Sequence, residues 1–239
     1  MTSATYRQSS EKRPELTERD PYNAWLSHQN RLRVEAEIIR DEALSVSGLL
    51  KHKVGGRSVN PPQPEGIASL GYANSVKWPT SKGDDRYRRG LYTFFQRTVP
   101  YPMLMTFDSP DSNLSCTRRE RSNTPLQALT IWNDPVFFEC SQSLGPRIVS
   151  ETQGEDSSLE QRIQHAFELC LTREPAESEV EIIKQLYQQQ IRLLKSDPKL
   201  VSELTSKQTI PAGSTPQEVA AWIIIGRVLL NLDEFVTRS

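Results

Sequence analysis

Prolines divide this chain into helical segments and long loops. The 239 residues include 16 prolines, and proline is costly inside a helix because it lacks an N–H donor and clashes with the preceding turn. Thr124 and Asp134 each stand directly before a proline, an arrangement typical of a capped helix start. We therefore predict two consecutive helices, at about 125–132 and 135–150, with a sharp joint between them.

Four further segments carry apolar residues at steps of three and four, the spacing of one helix face. These predicted helices cover about residues 33–50, 159–170, 175–194 and 216–231. The middle two resemble an antiparallel hairpin, and the last is apolar on most sides, so we expect it to be central. We predict a polar linker at 152–158 and a loop at 196–216.

The remaining segments have no clean helical stripe. The proline-rich run NPPQPEG at 60–66 begins an irregular connection to about Lys82. The aromatic run at 87–98 favours a strand or a short helix flanked by loops. The fold class is therefore mainly α, a helical domain with long ordered loops and at most a small β element near 87–98. We expect 1–150 to form one part and 151–239 to pack on it as a helical hairpin plus a buried terminal helix.

Composition restricts the classes of function. The 29 basic and 30 acidic residues nearly cancel, so no global field favours nucleic acid. The longest apolar stretch, 220–230, is shorter than the roughly 20 residues that span a bilayer, and residues 1–12 lack the apolar core of a signal peptide. The three cysteines form neither C-x-x-C nor C-x-x-C-H, so we expect neither haem nor zinc in this chain.

Arginines, acidic residues and aromatic residues are most concentrated between Asp84 and Arg121. With nearby polar residues they give a candidate polar cluster of Glu37, Arg40, Asp41, Arg88, Arg89, Asp108, Asp111, Arg118, Arg119, Gln127 and Asn133. In one interpretation, arginines in a cleft bind carboxylate, sulfate or phosphate, while Asp108 or Asp111 acts as acid, base or metal ligand.

The alternative interpretation is structural, because ion-pair networks produce the same composition as binding sites. Arginines and carboxylates would then pair with each other and fix the long loops to the helices. We favour this second interpretation because charge in the region is nearly balanced. It predicts that Arg118 and Arg119 pair with Asp108, Asp111 or Glu37 in a partly buried network.

Six segments occur in an order that resembles a known family. They are TYRQSS at 5–10, AEIIRD at 36–41, RRGLYTFFQRT at 88–98, FDSPD at 107–111, CTRRERSNTPLQALTIWND at 116–134 and RVLLNLDEF at 227–235. Together they resemble the C-terminal domain of planctomycete cytochrome-c-associated proteins, known as domain of unknown function 1553. The match begins partway through that domain, so the resemblance implies an N-terminally truncated member.

The resemblance also implies a setting for the chain. Relatives are large exported proteins, many with an N-terminal cytochrome-c-like domain, so haem is expected only in upstream domains and the location is exported or periplasmic. The expected function is an accessory or interaction module with no assignable catalytic activity, its partners being those upstream domains. The alternatives are a purely structural docking module, or an enzyme part or binding site for extracellular polysaccharide or sulfated sugar that uses the Arg/Asp cluster.

Overall fold

The computed structural model of the protein describes residues 2–11, 13–71, 76–154 and 158–238. These residues are mainly helical, which confirms the predicted fold class. The α-helices are α1 Pro14–Thr17, α2 Ala36–Val46, α3 Pro102–Thr106, α4 Pro125–Asn133, α5 Pro135–Glu151, α6 Leu159–Leu171, α7 Glu177–Ser196, α8 Pro198–Thr205 and α9 Pro216–Leu230. Short 3-10 turns occur at Ile67–Leu70, Gly83–Tyr87, Gly90–Tyr92 and Asp233–Val236.

The two strands of the described chain join distant segments. Strand β1, Leu32–Arg33, pairs antiparallel with β2, Thr237–Arg238, so that Leu32 lies opposite Arg238. This sheet is not in the segment 87–98, where we expected any β element to lie.

The segment 87–98 instead forms a 3-10 turn and irregular backbone, with isolated bridges at Arg88 and Thr93. It lies tightly against α2, because a Cβ on Gly90 would come within 2.9 Å of the Glu37 backbone. The carbonyl of Tyr87 accepts a hydrogen bond from Lys51 N–H at 3.0 Å. This part of the chain is therefore held by individual contacts rather than by a ladder.

The predicted helix starts before Pro125 and Pro135 are confirmed. At the first, the Thr124 side chain makes no capping hydrogen bond, and Gln127 Oε1 instead accepts from the backbone N–H of Thr124 at 3.3 Å. At the second, Asp134 is extended and its Oδ1 accepts from Val136 N–H at 2.8 Å. The buried Asp134 thereby ends α4 and caps α5, which produces the sharp joint.

The predicted loop at 196–216 is wrong for its first half, where α8 lies. Its start repeats the Asp-Pro arrangement, since Asp197 Oδ1 accepts from Leu200 N–H at 3.0 Å just before Pro198. Of the predicted linker 152–158, residues 155–157 lie outside the described chain. Residues 72–75 of the long connection after Asn60 do as well.

Helix α9 is the centre of the core, as its apolar composition predicted. Trp222 contributes to one buried cluster with α5 residues such as Leu144. Ile223 belongs to a second cluster that includes Leu194 of α7. Helices α5 and α9 touch at Gly145, where an added Cβ would lie 2.7 Å from the backbone nitrogen of Ile223. The backbones of the two helices can come this close only because residue 145 has no side chain.

This contact gives a first prediction. Gly145→Ala should destabilise the protein by about 1 to 3 kcal/mol, because the added methyl meets backbone that cannot move aside. Gly154→Ala is the matched control, since nothing lies within 4 Å of an added Cβ there. Urea unfolding of both variants measures the difference, and equal midpoints would contradict the close packing.

Candidate functional site

Two arginines of the predicted cluster are buried, with only 1% of each residue exposed. Arg40 lies on α2, and its guanidinium contacts the end of the Gly83–Tyr87 turn and the residue that follows it. Its Nη2 donates to the carbonyl of Arg86 at 3.0 Å, and its Nη1 donates to the carbonyl of Arg88. Arg40 therefore binds main-chain oxygens, not a carboxylate.

Arg88 continues the same pattern toward the preceding loop. Its guanidinium donates to the carbonyls of Lys53 at 3.1 Å, Arg57 at 2.8 Å and Gly55. The carbon of this guanidinium also lies 3.8 Å from the ring centroid of Tyr92, a cation–π contact. We call Arg40, Arg88 and the carbonyls they bind the arginine clasp. Because its donors are directed at main chain, the clasp is structural.

Two of the three acidic residues of α2, Glu37 and Asp41, pair with other arginines. Glu37 accepts two hydrogen bonds from Arg119, at 2.8 and 3.1 Å, and this contact raises the pKa of Arg119. Asp41 accepts from Arg89 Nε at 3.0 Å and from the backbone N–H of Gly90. The predicted pairing of Arg119 with Glu37 is therefore confirmed.

Asp108 makes none of the arginine contacts we predicted for it. Its carboxylate accepts from the backbone N–H of Ser122 at 2.7 Å and from the Ser122 hydroxyl at 2.8 Å. Buried Gln127 donates to Ser122 Oγ and to the carbonyl of Thr106, both at 3.0 Å. The predicted pairing of Asp108 with arginine was wrong because these nearby donors already satisfy its carboxylate. Through these hydrogen bonds Asp108 links the turn after α3 to the start of α4.

Three predicted residues lie outside this network. Asp111 is exposed and accepts from the backbone and side-chain nitrogens of Asn113, both at 3.0 Å, which lowers its pKa. Exposed Asn133 donates to the carbonyl of Leu129 at 2.9 Å. Among the described residues, the guanidinium of Arg118 has no hydrogen bond or ion pair, so its predicted pairing is wrong.

An open cavity of about 760 Å³ lies at the edge of the cluster. We call it the arginine cavity, and its walls are Leu32, Glu35, Arg118, Arg119, Glu120 and Arg121. Glu35 pairs there with Arg119 at 2.9 Å and with Arg121 at 3.2 Å. Arg118 is thus the cationic group of this cavity that is left without a protein partner in the described chain.

Two groups of functional interest were not predicted. Asp233 accepts from Arg31 at 2.7 Å and from Arg33 and Asn123, both at 3.1 Å. Burial raises the pKa of Glu42 to about 7, with a further contribution from the charge of Asp41. The position of Glu42, four residues from Ile38 and from Val46, could have placed it on the apolar side of α2.

Other features restrict the chemistry of the described chain. Its His, Cys, Asp and Glu side chains form no group of three or more that could hold a metal ion. None of its helices is long and apolar enough to cross a membrane. The cysteines are free; Cys140 and Cys170 are buried, whereas Cys116 is exposed.

The fold and cluster define a mainly α module whose irregular loops are fixed by arginines. The family model described as "PSD1: Protein of unknown function (DUF1553)" matches residues 1–187. This match covers well over half of the chain, so the protein belongs to that family. No curated protein and no solved structure matches it. The matched region contains the whole arginine clasp and ends within α7.

The clasp gives a second prediction. Arg88→Met should lower the free energy of unfolding by about 3 kcal/mol or more, because it removes three hydrogen bonds from a charged, buried guanidinium to the loop 53–57. Arg118→Met changes an arginine without a described partner and should stay within about 0.5 kcal/mol of the parent. Urea titration measures both. Similar losses in the two variants would contradict the structural role of Arg88.

Proposed function

We propose that this chain is a non-catalytic interaction module of a larger exported, cytochrome-c-linked protein. Its membership of a family of unknown function and the motif resemblance to domains at the C-terminus of such proteins support this setting. In this proposal, haem belongs to upstream domains, which are also the first partners of the module.

The observation that supports the proposal best is that both candidate catalytic carboxylates are already hydrogen-bonded to neighbouring residues. Asp108 is bound by Ser122, and Asp111 by Asn113. A general acid or base needs an open approach for substrate and a pKa near the working pH, but the pKa of Asp111 is lowered. These contacts favour a rigid surface over a reaction centre.

A second candidate function is favoured by one specific observation, the partnerless guanidinium of Arg118 in the arginine cavity. Guanidinium groups bind sulfate and carboxylate through two parallel hydrogen bonds. The cavity is open, so a chain-like ligand has access to it. The class of ligand that fits is therefore an acidic polysaccharide, with a sulfate or carboxylate contacting Arg118 and sugar carbons contacting Leu32.

Dextran sulfate and neutral dextran provide the test. We expect the protein to bind the sulfated polymer, and Arg118→Ala to weaken the affinity about tenfold, the equivalent of one charge-assisted contact. Arg192→Ala, which removes an exposed arginine of α7, should leave the affinity unchanged. Equal effects of the two substitutions would indicate non-specific attraction and contradict a site at Arg118.

Incubation with the same polymers also separates binding from catalysis. The proposal predicts no release of reducing ends or free sulfate over many hours. Release that Asp108→Asn abolishes, with affinity unchanged, would show an enzyme that uses this carboxylate and would overturn the non-catalytic assignment.

A further inference from the structure

A second cavity lies on a different face of α2 from the pairs formed by Glu37 and Asp41. It has a volume of about 450 Å³ and lies between α2, the end of α6 and the C-terminal segment. Much of its wall is apolar, contributed by Val34, Ile38, Val46, Leu169, Leu171 and Phe235. This volume and lining are typical of a site for a small molecule.

One polar group in this cavity has no partner. Glu42 lines it, and the Oε2 atom of Glu42 is buried without a hydrogen bond in the described structure. Buried polar atoms are almost always hydrogen-bonded, so an orphan carboxylate oxygen needs an explanation. The side chain that carries this buried oxygen lines the cavity, where a ligand has room to bind to its carboxylate group.

The neighbouring charged groups are already engaged. Glu234 accepts from Arg173 at 2.7 and 2.8 Å. The guanidinium of Arg238 lies 4.7 Å from the ring centroid of Tyr6. The carboxylate of Glu42 is therefore the group in this cavity that lacks a hydrogen-bond donor.

We propose that this cavity binds a small apolar amine, whose ammonium group contacts the Glu42 carboxylate while its carbon skeleton fills the apolar wall. A cation suits the site better than a neutral donor, because Asp41 is the next residue and adds negative charge there. An ammonium also supplies several donors to an acceptor that has no other partner. This site is independent of the arginine cavity and of the function proposed for it.

The proposal has a pH dependence with a definite sign. Because burial raises the pKa of Glu42 to about 7, protons compete with the amine below that pH. Affinity should fall about tenfold per pH unit below 7 and level off above it. Burial also raises the pKa of Cys170, to about 12, so the thiol stays neutral. The titratable and charged groups that line the cavity beside Glu42 are Cys170, Glu234 and Arg238. Asp41 acts on Glu42 from the adjacent position of α2, and Arg173 pairs with Glu234.

Isothermal titration calorimetry with three isosteric probes tests the proposal. Near pH 8, n-hexylammonium should bind the full chain, n-hexanol should bind at least about tenfold more weakly, and hexanoate should not bind. Glu42→Gln keeps the shape of the side chain and should weaken n-hexylammonium binding about tenfold or more. Glu181→Gln, at an exposed glutamate of α7, is the matched control and should bind like the parent.

Several results would overturn the proposal. The first is that n-hexylammonium shows no saturable binding at millimolar concentration. The second is that the amine and the alcohol bind equally well, and the third is that Glu42→Gln binds the amine with the affinity of the parent. If Glu42→Gln does not fold, the parent protein still decides the question through its pH profile. An affinity for n-hexylammonium that is constant from about pH 5.5 to 8 would contradict a contact with Glu42.

Discussion

Two buried guanidinium groups hold the irregular part of this protein to its first long helix. Arg40 reaches from α2 to the carbonyls of residues 86 and 88, and Arg88 reaches on to the loop 53–57. Arginine is suited to this task because its planar group carries five donors and no acceptor. The backbones of the described segments 51–59 and 86–93 pair only at isolated β-bridges. Side chains therefore supply hydrogen bonds that the ladder of a sheet would otherwise provide.

This arrangement assigns different roles to the polar residues of one cluster. The buried arginines bind main chain, Glu37 and Asp41 bind the less buried Arg119 and Arg89, and Asp108 binds the start of α4. Because these contacts fix the backbone, Arg118 is presented at the rim of a cavity, where a guanidinium can serve binding. The orphan carboxylate of Glu42 lies on another face of α2, so one helix supports both the structural clasp and a separate candidate site.

The sequence predicted those features that depend on local interactions. Helix starts at Pro125 and Pro135 follow from residues adjacent in the chain, although the same arrangement at Pro198 was overlooked within a polar segment. The pairing of β1 with β2 was not predictable, because it joins residues more than 200 positions apart in the chain, Leu32 with Arg238 and Arg33 with Thr237. Composition predicted charged partners for Asp108, but it could not show that the N–H and hydroxyl of Ser122 already satisfy that carboxylate.

Amide hydrogen exchange in Arg40→Met tests most directly whether the clasp couples these segments. The backbone N–H of Lys51 donates to the carbonyl of Tyr87, and that of Val59 donates to the carbonyl of Tyr92. Arg40 donates to carbonyls in the segment 86–88 and makes no hydrogen bond to the described loop 51–59. If the two arginines act in series, the amides of Lys51 and Val59 should exchange at least about tenfold faster in Arg40→Met. Unchanged exchange at those two amides, in a variant that remains folded, would contradict the account.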